Sequence, residues 1–169
     1  MKKHRIIILL VVAFVVIISI VGLTKYKQQV DEKTSYINQE MMNHYLYLYD
    51  ASNTFNYYLS NNDPQSLMRT IDNLYNTSMS YEKVYDLKNP NIFVKSNVSS
   101  TVSELSMQMI VLFGDEGKQD KLDELTQISE FLAKWVEWIE EEQTSVLNDT
   151  TVYNYYEPLD FLDAMNKLE

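Results

Sequence analysis

One stretch constrains this chain more than any other: Ile6 to Leu23, IIILLVVAFVVIISIVGL, in which only Ser19 and Gly22 interrupt 18 residues of mostly large apolar side chains. As a helix it would span roughly 27 Å, close to the ~30 Å hydrocarbon core of a bilayer. A buried helix of a soluble protein normally keeps one polar side, and this stretch has none. The pattern therefore predicts a membrane anchor over 6–23, with Ile6, Leu10, Phe14, Ile18 and Leu23 among its lipid-facing residues.

Charge sets the expected orientation. Lys2, Lys3 and Arg5 precede the stretch and no acid does, whereas the 11 basic residues that follow stand against 24 acids, a net charge of −13. A basic flank stays cytoplasmic. The reading is a cytoplasmic stub over 1–5, a single-pass cell-membrane anchor over 6–23 and an extracytoplasmic domain over 24–169. A cleaved signal peptide would have a shorter apolar core of about 7–15 residues and an A-x-A-like site, to which Ile20-x-Gly22 is a poor match. The chain also lacks the Gly-Phe-type processing site and the internal Glu that a pilin-like start would need.

Composition narrows the class further. With 3 Gly and 3 Pro, there are too few turn residues for an all-β sandwich. The absence of Cys excludes a disulfide scaffold, a thiolate metal site, a Cys nucleophile and a lipidated Cys. A cysteine-free chain rich in Asn, Lys and Tyr suits a low-GC, single-membrane bacterium; Asn76, Asn97 and Asn148 would matter as glycan acceptors only in a eukaryotic secretory path.

Beyond the anchor the apolar period is helical. Val30, Thr34, Ile37, Met41, His44, Leu48, Ser52, Phe55 and Leu59 recur in steps of three and four. Tyr45-Leu-Tyr-Leu-Tyr49 has strand propensity, but its long helix-periodic surroundings predict a helix. No helix-stopping residue lies between Gly22 and Asn61, so the anchor is expected to run into this helix.

Asp63 and Pro64 suit an N-cap and the first helical position. The second stripe, Leu67, Ile71, Leu74, Ser78, Tyr81 and Tyr85, is widened by Met68 and Tyr75 and stops before Pro90. A third runs Val94, Val98, Thr101, Leu105, Met109 and Leu112 to Gly114. A fourth runs Leu122, Leu125, Ser129, Leu132, Val136, Ile139 and Val146. Ile128, Phe131, Trp135 and Trp138 broaden its face enough to meet two neighbours. Residues 152–156 read equally as helix or extended chain, and Pro158 opens a short amphipathic segment using Leu159, Leu162, Met165 and Leu168.

The fold expected is all-α: the anchor, then an antiparallel four-helix bundle with a short C-terminal helix. The helices are expected at about 26–60, 64–87, 92–113, 119–146 and 158–168.

Chemistry is sparse. His4 lies in the stub, so His44 is the sole imidazole of the domain, with Glu40 one turn before it on the same face. The inward Glu-x-x-His pairs of a di-iron bundle are missing, as is a second His for zinc, and His44 reads as a structural residue. The acids at 115, 116, 120, 123 and 124 complement a helix N-terminus and do not match an EF-hand spacing. No G-x-S-x-G, H-E-x-x-H, Ser-x-x-Lys or Gly-rich phosphate loop occurs. The chain reads as a non-enzyme without cofactor or metal, and its acidity opposes nucleic-acid binding.

The unusual feature is 13 Tyr, seven of them at 26, 36, 45, 47, 49, 57 and 58. Side chains at 45, 47 and 49 cannot share one face, because successive helical positions lie about 100° apart. Tyr offers area, stiffness and a hydroxyl at recognition surfaces. Tyr47, Tyr57 and Tyr58 are the candidate interaction face. The function expected is a membrane-tethered, non-catalytic interaction or accessory module, bound to lipid through 6–23 and to another membrane or envelope protein through its domain. The alternative is a small-ligand-binding bundle, similar in architecture to the extracytoplasmic sensing bundles of bacterial receptors. Lacking a second apolar run, it would signal through a separate transducing partner.

Overall fold

The computed structural model describes residues 2–90, 96–114, 119–147, 150–157 and 160, with helical side chains described from Val12 to Phe113 and from Lys121 onward. It is mostly helical: α1 covers Lys2–Asn61, α2 Pro64–Lys88, α3 Asn97–Gly114 and α4 Gln119–Glu142. These are followed by a two-stranded sheet of β1, Thr144–Leu147, and β2, Thr150–Tyr153. The chain divides into two compact units, Met1–Tyr36 and Ile37–Glu169, so the sequence-based domain boundary at residue 24 falls inside the first.

The first unit is helical from Lys2, and its described apolar side chains, Phe14, Ile18 and Leu23 among them, are exposed. Two hydroxyls in and next to the apolar run turn inward on their own helix. Ser19 Oγ donates to the Val15 carbonyl at 2.8 Å. Thr24 Oγ1 donates to that of Ile20 at 2.9 Å. Among the described residues no helix is long and apolar enough to cross a membrane. The side chains of Ile6 to Val11, one third of the stretch assigned to the anchor and including Ile6 and Leu10 of the predicted set, lie outside the described residues.

In the second unit the helical stripes meet in one core. Met41, Leu48 and Phe55 of α1 are fully buried, and so are Leu74, Tyr81 and Val84 of α2, Val98 and Met109 of α3, and Leu132, Trp135 and Ile139 of α4. The run Tyr45–Tyr49 is helical, as its surroundings require.

The break after α1 follows from its residues. Asn62 adopts a left-handed φ of 52°, a conformation that Asn tolerates better than most residues. Asp63, extended at φ −89° and ψ 109°, then caps α2. Its carboxylate accepts from Gln65 N and Ser66 N, each at 3.2 Å, and from the Ser66 hydroxyl at 2.6 Å. The Ser66 bond leads the contacts that hold this carboxyl below its ordinary value. At the other end Lys88 is the last helical residue, since Asn89 precedes a proline and takes φ −123°.

Three expectations for the fourth helix are corrected. The fourth helix ends at Glu142, not 146. Thr144 to Leu147 instead pairs antiparallel with Thr150 to Tyr153, in the register Thr144↔Tyr153 to Leu147↔Thr150. Both runs are rich in Thr and Val, whose branched side chains favour a pleated strand, and only Asn148 and Asp149 separate them, a hairpin spacing. Val146, assigned to the core stripe, is therefore exposed on β1. Leu122, assigned to the same stripe, is also exposed. Residues 91–95, the expected start of the third helix, and all but Asp160 of the expected helix at 158–168 lie outside the described residues.

Candidate functional site

Sequence reading directed attention to two places, His44 and the Tyr face of α1. His44 is fully buried. Its Nδ1 lies 2.9 Å from the Thr77 carbonyl, and its Nε2 lies 2.6 Å from the Tyr156 hydroxyl. A carbonyl can only accept, so Nδ1 carries the proton, and in the neutral ring Nε2 accepts from Tyr156. Burial drives the imidazole down to about 4, against a smaller upward pull from the Thr77 bond.

An aromatic shell closes the centre. The rings of Tyr81, Trp135 and Tyr156 lie 5.5, 5.9 and 5.7 Å from that of His44. Tyr81 donates its hydroxyl to the Tyr156 carbonyl at 2.6 Å. The Trp138 ring meets the Tyr156 ring edge-on at 4.8 Å. Burial raises the Tyr156 phenol well above its ordinary value, with a smaller lowering from Trp135, and burial likewise raises that of Tyr81.

Glu40, the sequence neighbour of His44, takes a different partner: its two oxygens accept from Lys83 Nζ at 3.1 and 3.0 Å. The imidazole is thus engaged at both nitrogens by a carbonyl and a phenol, and fully buried. This arrangement orients a neutral ring inside the core. Among the described residues no three His, Asp or Glu side chains are grouped so as to hold a metal ion.

The predicted Tyr face divides. Tyr47 and Tyr57 are exposed. Tyr58, also assigned to that face, is only 4% exposed and stacks on Phe55 at 5.9 Å, so it belongs to the core. It follows Phe55 by three residues and falls on the same helical stripe. Tyr45 is buried too, stacked on Tyr153 of β2 at 4.5 Å with its hydroxyl on Glu140, which together with burial raises its phenol.

The more prominent surface was not anticipated. A groove of about 930 Å³ runs between α2 and α3. One wall is Ile71, Tyr75 and Met79 of α2, the other Met107 and Ile110 of α3, and Ser99, Ser103 and Ser106 follow one another along α3. The short serines leave the space that the flanking long side chains enclose. Between the two helices the Ser78 and Ser99 hydroxyls join at 2.6 Å.

The walls are exposed: Tyr75 by 61%, Met107 by 62% and Ile110 by 53%. At one end stand two carboxylates, Glu82 and Asp86, the only charged side chains among the described residues that line the groove. Glu82 is held by the Ser96 amide at 3.0 Å and by the Ser96 hydroxyl.

A signal for this surface did exist in the sequence. From Met107 to Phe113 six of seven residues are apolar. Such a run cannot all face one core at helical spacing. Likewise Met68 and Tyr75, taken as widening the buried stripe of α2, are both exposed. Comparisons with known protein families, with curated proteins and with solved structures found no match to this chain.

Proposed function

We propose that this chain is a membrane-anchored, extracytoplasmic helical module that binds another membrane or envelope protein and carries out no catalysis. The observation that carries the reading is the division of the second unit's surfaces. Its most chemically endowed residues, His44, Tyr81 and Tyr156, are buried and mutually engaged, while long apolar side chains of α2 and α3 stand in solvent. Soluble proteins seldom leave large contiguous apolar patches uncovered, and such patches are commonly places of contact with another molecule.

The anchor reading rests on the apolar run 6–23 and its basic flank. It is supported by the hydroxyls of Ser19 and Thr24, which bond their own helix as lipid would demand. The antiparallel bundle rests on the shared core of α1 to α4 and on the short connections between consecutive helices.

The test is made on the full chain in its own cells. Carbonate washing should leave the chain in the membrane fraction, and protease added outside should digest the domain. A photo-crosslinker at Tyr75 should yield one discrete adduct with a membrane or envelope protein, in proportion to the chain. Recovery of the chain in the wash, protection of the domain, or a smear without a stoichiometric adduct would each refute this reading.

A further inference from the structure

We infer that the groove between α2 and α3 receives an amphipathic α-helix of a partner protein, with basic residues at the end that lies on Glu82 and Asp86. This inference rests on the interaction-module reading and assigns its partner chemistry.

Shape comes first. From Ile71 to Asp86 the α2 wall extends about 22 Å at helical rise, the length of a helical segment of about 15 residues. Its walls present a helix-in-groove surface, with anchors for side chains spaced by three and four. Met79 and Met107 suit such a role, because the unbranched thioether adapts its shape to an apolar guest.

Charge selects among occupants. Glu82 and Asp86 are the charged side chains among the described residues that line the groove, and Lys83 and Lys88 of α2 are turned to other work. Lys83 pairs with Glu40 at 3.0 Å, and Lys88 sits over the Tyr155 ring at 5.1 Å. A groove of this polarity repels anionic lipid headgroups. A second copy of a chain with 24 acids against 14 basic residues would bring more of the same sign. An extended strand would need a sheet edge to pair with, whereas both groove walls are helices, whose backbone groups are already paired.

The probe is a labelled synthetic 18-residue peptide with Leu at helical i, i+3, i+4, i+7 spacing and Lys in its C-terminal turns. It is titrated by fluorescence anisotropy against the full chain in zwitterionic phosphatidylcholine nanodiscs, with empty nanodiscs as the blank. The wild-type chain should bind it. A scrambled isomer and a version with Glu in place of Lys should each bind at least 10-fold more weakly.

The decisive variants are Met107→Asp and Ile110→Asp, both exposed positions where melting by circular dichroism should not change. Each adds negative charge, so a merely electrostatic association would hold or strengthen. Docking in the groove requires a loss of 10-fold or more. Glu82→Gln with Asp86→Asn should weaken binding by 3- to 10-fold and flatten its salt dependence. Absence of binding to wild type, retained affinity in the Asp variants, indifference to the carboxylates, or a dimer dissolved by Ile110→Asp would each overturn the inference. The broader reading is decided separately by the cellular adduct at Tyr75, which does not depend on the peptide.

Discussion

The centre around His44 and the groove between α2 and α3 lie in the same unit and invert each other's chemistry. In the first, polar groups are buried, and the imidazole nitrogens, the Tyr156 hydroxyl and the Tyr81 hydroxyl are hydrogen-bonded. In the second, Tyr75, Met107 and Ile110 expose more than half of their surface. Hydrogen-bonded polar groups inside and uncovered apolar groups outside teach which region serves the fold and which is open to another molecule. A buried polar group is tolerated when partnered. An exposed apolar wall contributes little to the free chain, whose fold does not need it covered.

The contrast can be broken first at Trp135. It is fully buried against His44, and Trp135→Ala should lower stability by ~3–5 kcal/mol in urea denaturation of the detergent-solubilised chain. An unchanged midpoint would remove the ring from the core.

Acid should act nearly as strongly. The folded value of His44 near 4 lies below the ordinary 6.5, so on acidification the unfolded chain takes up the proton first. The His44 contribution is complete above about pH 6.5 and is lost as pH falls toward 4, by about 2–3 kcal/mol between pH 7.5 and 4.5. The Asp63 carboxyl is depressed below its ordinary value of 3.8, so its contribution fades at lower pH still. A stability profile flat from pH 7.5 to 4.5 would deny the burial of a neutral imidazole.

Removing one oxygen is a finer probe. Tyr156→Phe leaves His44 Nε2 a buried acceptor without its donor, at a cost of about 1–3 kcal/mol, while the Tyr81 bond to the 156 carbonyl survives. Nitrogen NMR of the ring should report whether Nδ1 keeps its proton. At the small end, Tyr47→Ala should change stability by less than ~1 kcal/mol, as surface substitutions usually do. A larger loss would move Tyr47 from surface to core.

Much of the fold was legible because it is written locally. The α1 stripe from Met41 to Phe55 is buried where steps of three and four put it, and Asp63 caps α2 through its own carboxylate. The hairpin was missed because a helical period was extended through Val146. The branched runs around Asn148-Asp149 carried a competing two-residue turn signal. The Tyr58 assignment failed on phase, since a position three residues after Phe55 shares its face. The groove was missed for a different reason. Periodicity identifies which side chains are apolar but not how many neighbours exist to cover them, and the exposure of Tyr75 and Met107 depends on that number. Nor can any local pattern pair His44 with Tyr156, which is a matter of tertiary closure.

That closure bears on how the chain is made. His44 leaves the ribosome 112 residues before the phenol that completes its surroundings. At synthesis rates of about 5–20 residues per second, the gap lasts roughly 6 to 20 s. Through that interval the emerging helices hold a histidine lacking its final donor and a Tyr81 hydroxyl with no carbonyl to meet. The segment carrying Tyr156 is therefore the last part of this centre to be made, and the buried polar groups on the earlier helices are satisfied only when it arrives.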